Sequence, residues 1–206
     1  MKEISSGTNI HNIYNEQLIS VNHAIREQEG SKLLHEVPYL QSIFPGGLGY
    51  SAMVVPGNEI LLNKYTTSSA SEEEVHVLLE ILSALQDHVH KFPSFNANDG
   101  RMPVGIITPY KLPQKLISIA IEKRLKDKRL KKWETPWFQV GTVEVHEGRE
   151  YDIVFSLLTR GNPLDTYVST VHQKTVFLAK PNRSNVIVHR PRYGHCLLYT
   201  SDAADD

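Results

Sequence analysis

Two short apolar runs constrain this chain more than any other feature. Val104–Thr108 (VGIIT) and Ile153–Leu158 (IVFSLL) are nearly continuous in hydrophobic, mostly β-branched residues. Runs of this kind read as strands buried on both faces, as in a parallel sheet covered by helices. Pro109 closes the first run, because proline has no N–H to give a ladder. A helical pattern follows over Leu112–Lys132, with Leu116, Ile117, Ala120, Ile121 and Leu125 inward. Upstream, Ser68–Lys91 carries Val75, Leu78, Leu79, Leu82, Leu85 and Val89 at three-and-four spacing. Ser69 or Ser71 can cap that helix, and Glu72–Glu74 suit the positive end of its dipole. Helices alternating with buried strands predict an α/β fold, a three-layer sandwich around a mainly parallel sheet.

Composition narrows the class. The 206 residues, 40% hydrophobic, suit one domain with some extra length. No run approaches the ~18 apolar residues of a membrane-crossing helix, so no membrane partner is expected. The polar start MKEISSGTNIHNIYNEQ carries no secretory signal pattern. One cysteine excludes an internal disulfide and fits a reducing, intracellular compartment, cytoplasm or nucleus. The net charge of −1 conceals an asymmetry: residues 1–100 hold 5 basic and 12 acidic side chains, and residues 101–192 hold 17 and 8. A basic half fits a polyanion such as nucleic acid or nucleotide, and equally a solvated lysine-rich face.

Residues 1–60 are the least informative. Asn12–Arg26 has a loose helical spacing, Phe44–Gly49 is turn chemistry, and Ser51–Val55 and Glu59–Leu62 read as short strands. His76, His88 and His90 lie near the first strong helix, but a metal site needs convergent ligands with supporting partners, so none is assigned. The second helix ends in Lys123, Arg124, Lys126, Lys128, Arg129, Lys131 and Lys132, a solvated face or a phosphate-contacting patch. Trp133 and Trp137 read as packing, with stacking on a base as the alternative. Between strand-like Val140–Val143 and Ile153–Leu158 lies Glu147-Gly148-Arg149-Glu150, a charged loop where a ligand could sit.

Three stretches together resemble a known family. VGIITPYK (Val104–Lys111), VGTVEVHEGREYDIV (Val140–Val154) and PNRSNVIVHRPRYG (Pro181–Gly194) are similar, in order and spacing, to motifs IV, V and VI of superfamily 1 helicases of the nonsense-mediated-decay and senataxin kind. These motifs lie on the second RecA-like domain of that family. The resemblance covers Ser68–Gly194 and implies a RecA-like, P-loop-type fold over residues 61–195, with residues 1–60 unassigned.

The resemblance also implies roles. Arg190 stands at the arginine-finger position of motif VI, with Arg192 supporting the interface. Gly148 and Arg149 form the turn that presents Glu150 to a nucleotide ribose. Thr142, Thr108 and Tyr110 stand where the family contacts nucleic acid, and Lys128 and Lys131 would add backbone contacts. The implied partners are single-stranded RNA or DNA and the first RecA-like domain of the parent protein. The implied cofactors are ATP and Mg²⁺ in that intact parent. The chain has no G-x-x-x-x-G-K-S/T stretch, so it is expected to bind neither and to be inactive alone.

Departures are specific. His146-Glu147-Gly148 stands for F-Q-G, Pro113 for a glutamine, Ser184 for an apolar residue, and His189-Arg190-Pro191-Arg192 for T/S-R-A-R. Pro191 is expected to kink the motif VI helix. The Q-Y/F-R-M-H-P motif is not found. The end CLLYTSDAADD resembles a transposase sequencing adapter translated in frame, so Cys196–Asp206 is expected to be extraneous and the sheet truncated at its C-terminal end. The alternative function is a non-catalytic helicase-like binding or scaffold module.

Overall fold

The computed structural model describes residues 23–57, 60–61, 69–97, 99–158 and 186–201. Their elements are α1 (His23–Glu36), α2 (Tyr39–Ile43), β1 (Tyr50–Pro56), β2 (Ile60–Leu61), β3 (Ser69–Ala70), α3 (Glu72–Leu85), α4 (Pro93–Asn96), β4 (Met102–Thr108), α5 (Lys111–Lys126), β5 (Phe138–Thr142), β6 (Tyr151–Leu157) and β7 (Pro191–Ser201). Five strands form one sheet in the order β1-β7-β6-β4-β5, and every pairing is parallel. β2 and β3 form a small separate antiparallel pair.

The two apolar runs are neighbours at the sheet centre. Gly105 pairs with Val154 and Ile106 with Phe155, and every residue of β6 is buried. One face of the sheet (Val104, Ile106, Ile153, Phe155, Cys196 and Leu198) shares a core with α3, through Leu78 and Leu82, and with α5, through Ile117 and Ile121. The opposite face holds a smaller cluster of Ile107, Val143, Tyr151, Val154 and Ile187. The three-layer expectation with its mainly parallel sheet is met.

Local chemistry sets the helix ends. Ser71 caps α3, its hydroxyl accepting from the Glu74 amide at 3.2 Å. The stripe continues past Leu85 only as a 3₁₀ turn, Gln86–Lys91. α5 stops at Lys126, short of Lys132, because Lys128 takes a left-handed conformation with φ of 58°. The Arg129 amide then donates to the Arg124 carbonyl at 2.9 Å, closing the helix end. The predicted helix over Asn12–Arg26 and the segment Gly161–Gln173 lie wholly or largely outside the described residues.

One expectation is corrected, the kink at Pro191. Among the described residues of the motif VI-like segment, 186–189 are helical and the chain leaves the helix at Arg190. Pro191 is the first residue of β7 and so does not kink a helix; proline is tolerated there because a strand's first residue can do without a ladder donor. β7 runs on through the adapter-like residues to Ser201. Cys196–Leu198 lie between β1 and β6, paired to both. That position demands apolar, β-compatible residues, which adapter-like CLLYT supplies as well as native ones would.

Candidate nucleotide and nucleic-acid edges of the sheet

Parallel topology sorts the site residues before any side chain is considered. β5 ends at Thr142 and β6 begins at Tyr151, so the loop Glu147–Glu150 lies at the N-terminal edge of β6. Arg190 directly precedes β7 and lies at the same edge. Thr108 ends β4, Tyr110 follows it and Thr142 ends β5, all at the opposite, C-terminal edge. α5 must run back between β4 and β5, so its basic end falls at the N-terminal edge. Its sixteen residues span about 24 Å at a rise of ~1.5 Å each.

The segment 143–150 is a short crossover for parallel strands, which commonly need about a dozen residues or more. It fits by lying tight against the sheet. A Cβ at Gly141 would come within 2.7 Å of the Val145 side chain. A Cβ at Gly105 would come within 2.6 Å of the Tyr151 ring. Both glycines leave room for this close approach. His146, in the place of the family's phenylalanine, is fully buried beneath the crossover. Its Nε2 lies 3.1 Å from the Ile106 carbonyl and its Nδ1 2.8 Å from the Tyr151 hydroxyl. Burial pushes its pKa down to about 4, with Arg149 and Arg190 adding to the shift.

The N-terminal edge brings the loop and Arg190 together. Arg190 Nη1 donates to the Arg149 carbonyl at 3.2 Å, and its Nε to the Val186 carbonyl at 3.2 Å. The Tyr151 amide donates to the Arg190 carbonyl at 2.9 Å. Arg149 Nη1 donates to Gln139 Oε1 at 2.8 Å. Gly148 has φ of 72°, which favours glycine and turns the loop so that Glu150 is exposed. Glu150 acts electrostatically on Arg101.

Arg192 is not at this site. It turns to α1, where Nη2 lies 3.4 Å from Glu29 Oε2, and its guanidinium sits 5.2 Å from the Tyr193 ring centroid. The other acid of the motif is structural as well. Asp152 is fully buried and accepts from the Ser94 amide at 2.9 Å and hydroxyl at 2.6 Å, which ties α4 to β6.

At the C-terminal edge Thr108 is fully buried. Its hydroxyl donates to the Tyr110 carbonyl at 2.9 Å, so it shapes the turn under Tyr110 and presents nothing to a ligand. Tyr110 and Thr142 are half-buried. Lys128 and Lys131 are exposed but lie at the other edge, and Lys131 pairs with Asp87. Gln86 holds this bend, accepting from the Lys131 amide at 2.7 Å. The structure therefore divides the predicted nucleic-acid residues between two edges.

Sequence reading missed Gln139, Tyr151 and the inward role of His146. The available signal was the pair Gly105 and Gly141, glycines inside strands that mark a close approach. Among the described residues no group of three His, Cys, Asp or Glu could hold a metal, and no helix is long and apolar enough to cross a membrane.

The fold, with its parallel five-stranded sheet, defines an α/β domain. The model of the AAA domain family matches residues 2–202, and the chain belongs to that family, as a helicase-like domain. Among solved structures, the chain is similar to the C-terminal domain of a possible DNA helicase from Lactobacillus plantarum WCFS1, at 13% identity and a TM-score of 0.41, over 85% of this chain and 84% of that one. No protein of curated function matches the sequence.

Proposed function

We infer that this chain is the second motor domain of an ATP-dependent superfamily 1 helicase, of the kind related to nonsense-mediated decay and senataxin. The observation that carries the reading is the meeting of Arg190 with the Gly148–Glu150 loop, Nη1 on the Arg149 carbonyl at 3.2 Å. Residues far apart in the chain thus offer a guanidinium and an exposed carboxylate on one edge. MgATP, held mainly by the first domain, supplies the phosphoryl group. Glu150 accepts from a ribose hydroxyl. Arg190 brings a permanent charge with a rigid donor fork to the departing γ-phosphate. Thr142 and Tyr110, on the opposite edge, touch the backbone of a single RNA or DNA strand without reading its sequence.

The test is steady-state ATPase of the intact protein. Arg190→Ala lowers kcat by orders of magnitude with a smaller change in KM, and Arg190→Lys rescues little. Near-parental kcat in Arg190→Ala overturns the assignment. One observation favours the non-catalytic binding module instead. Arg192, the supporting arginine of the motif, is held by Glu29 of α1 away from the loop.

A further inference from the structure

The Gly148–Glu150 loop is exposed, yet its arginine is held from beneath by a chain of side chains that ends on Gln139, a residue outside the three motif-like stretches. The Ile106 carbonyl can only accept, so His146 carries its hydrogen on Nε2 and, when neutral, accepts at Nδ1 from Tyr151. The Tyr151 hydroxyl also lies 3.3 Å from Gln139 Oε1, so its hydrogen is shared between two acceptors. The same Gln139 oxygen accepts from Arg149 Nη1 at 2.8 Å. Position 139 therefore faces two donors, and what it must supply is an oxygen acceptor. Arg149 in turn gives its backbone carbonyl to Arg190. The path runs from the sheet interior through His146, Tyr151, Gln139 and Arg149 to Arg190.

We propose that Gln139 is the positioning residue of this edge, its side-chain oxygen holding Arg149 and through it the Gly148–Glu150 loop against Arg190. The purpose of the device rests on the nucleotide reading of that loop. Gln139 touches no reacting group and acts through Arg149. β5 is an edge strand, so Gln139 can reach across the crossover to Arg149 without disturbing the sheet interior.

Amide hydrogen exchange on the whole chain reads the positioning directly. The Arg149 amide donates to His146 and the Glu147 amide to Glu144, so both report loop order. Gln139→Leu speeds exchange of these two amides by about tenfold while the amides of β6 keep their parental protection. Gln139→Glu, which retains an oxygen for both donors, restores slow exchange. Unchanged loop exchange in Gln139→Leu overturns the proposal. So does a Gln139→Glu chain that exchanges as fast as Gln139→Leu, or an equal rise across β6, which marks general destabilisation. Failure of the helicase reading shows elsewhere, as unchanged ATPase in Arg190→Ala of the intact protein.

Discussion

Acidification from pH 7 to 5 should weaken this fold through two buried histidines. His146 and His195 are 0% and 1% exposed, and burial pushes each pKa down to about 4. His146 is ringed by Tyr151, the Ile106 carbonyl and the charges of Arg149 and Arg190. His195 meets Ser156 at 2.9 Å on Nε2, while its Nδ1 has no partner among the described residues. In the unfolded chain both titrate near pH ~6.5. Folded pKa values below the unfolded value mean that stability is complete above that pH and is lost as pH falls toward 4. Linkage gives about 2 kcal/mol per histidine at pH 5, or about 4 kcal/mol for both, against a typical total of about 5–15 kcal/mol. Asp152 opposes this, since burial raises its pKa and favours its protonated form in the fold. Urea unfolding at pH 7, 6 and 5, read by tryptophan fluorescence, measures the balance. His146→Phe should forfeit two hydrogen bonds at pH 7 yet remove about half of the pH slope. Equal stability at pH 7 and 5, or a parental slope in His146→Phe, would refute the reasoning.

Lys128→Gly should raise the melting temperature, since relieving a left-handed lysine at a helix end is worth about 1 kcal/mol; a lower melting temperature would mean that the lysine stem packs. If the bend also contacts nucleic acid, the same change should lower the magnitude of the log–log salt slope for single-strand binding by ~0.7, measured by anisotropy. A chain ending at His195 should lose cooperative thermal unfolding, because Cys196–Ser201 pair with β1 on one side and Cys196–Leu198 with β6 on the other. A sharp melt in that chain would show that the adapter-like residues are dispensable to the sheet.

By itself the sequence determined the layers. Continuous apolar runs have one stable use, a strand covered on both faces, and a three-and-four stripe has one, a helix on that sheet; both are local patterns. Ser71 as cap and the turn at Gly148 are legible for the same reason, since a hydroxyl before a helix and a glycine among charges act on neighbouring amides. Only tertiary structure decided which residues share an edge. In a parallel sheet the chain returns to its starting edge after every strand, so Lys128 belongs with Arg190 and not with Thr142. The motif spacing of Arg190 and Arg192 resembled a pair, but the start of β7 at Pro191 sent one to Arg149 and the other to Glu29. Asp152, just past the charged loop in sequence, is the buried anchor of Ser94. His146, Gln139 and Tyr151 come together because a short crossover lies flat on Gly105 and Gly141. That contact depends on the distance between strands, which no local pattern along the chain records.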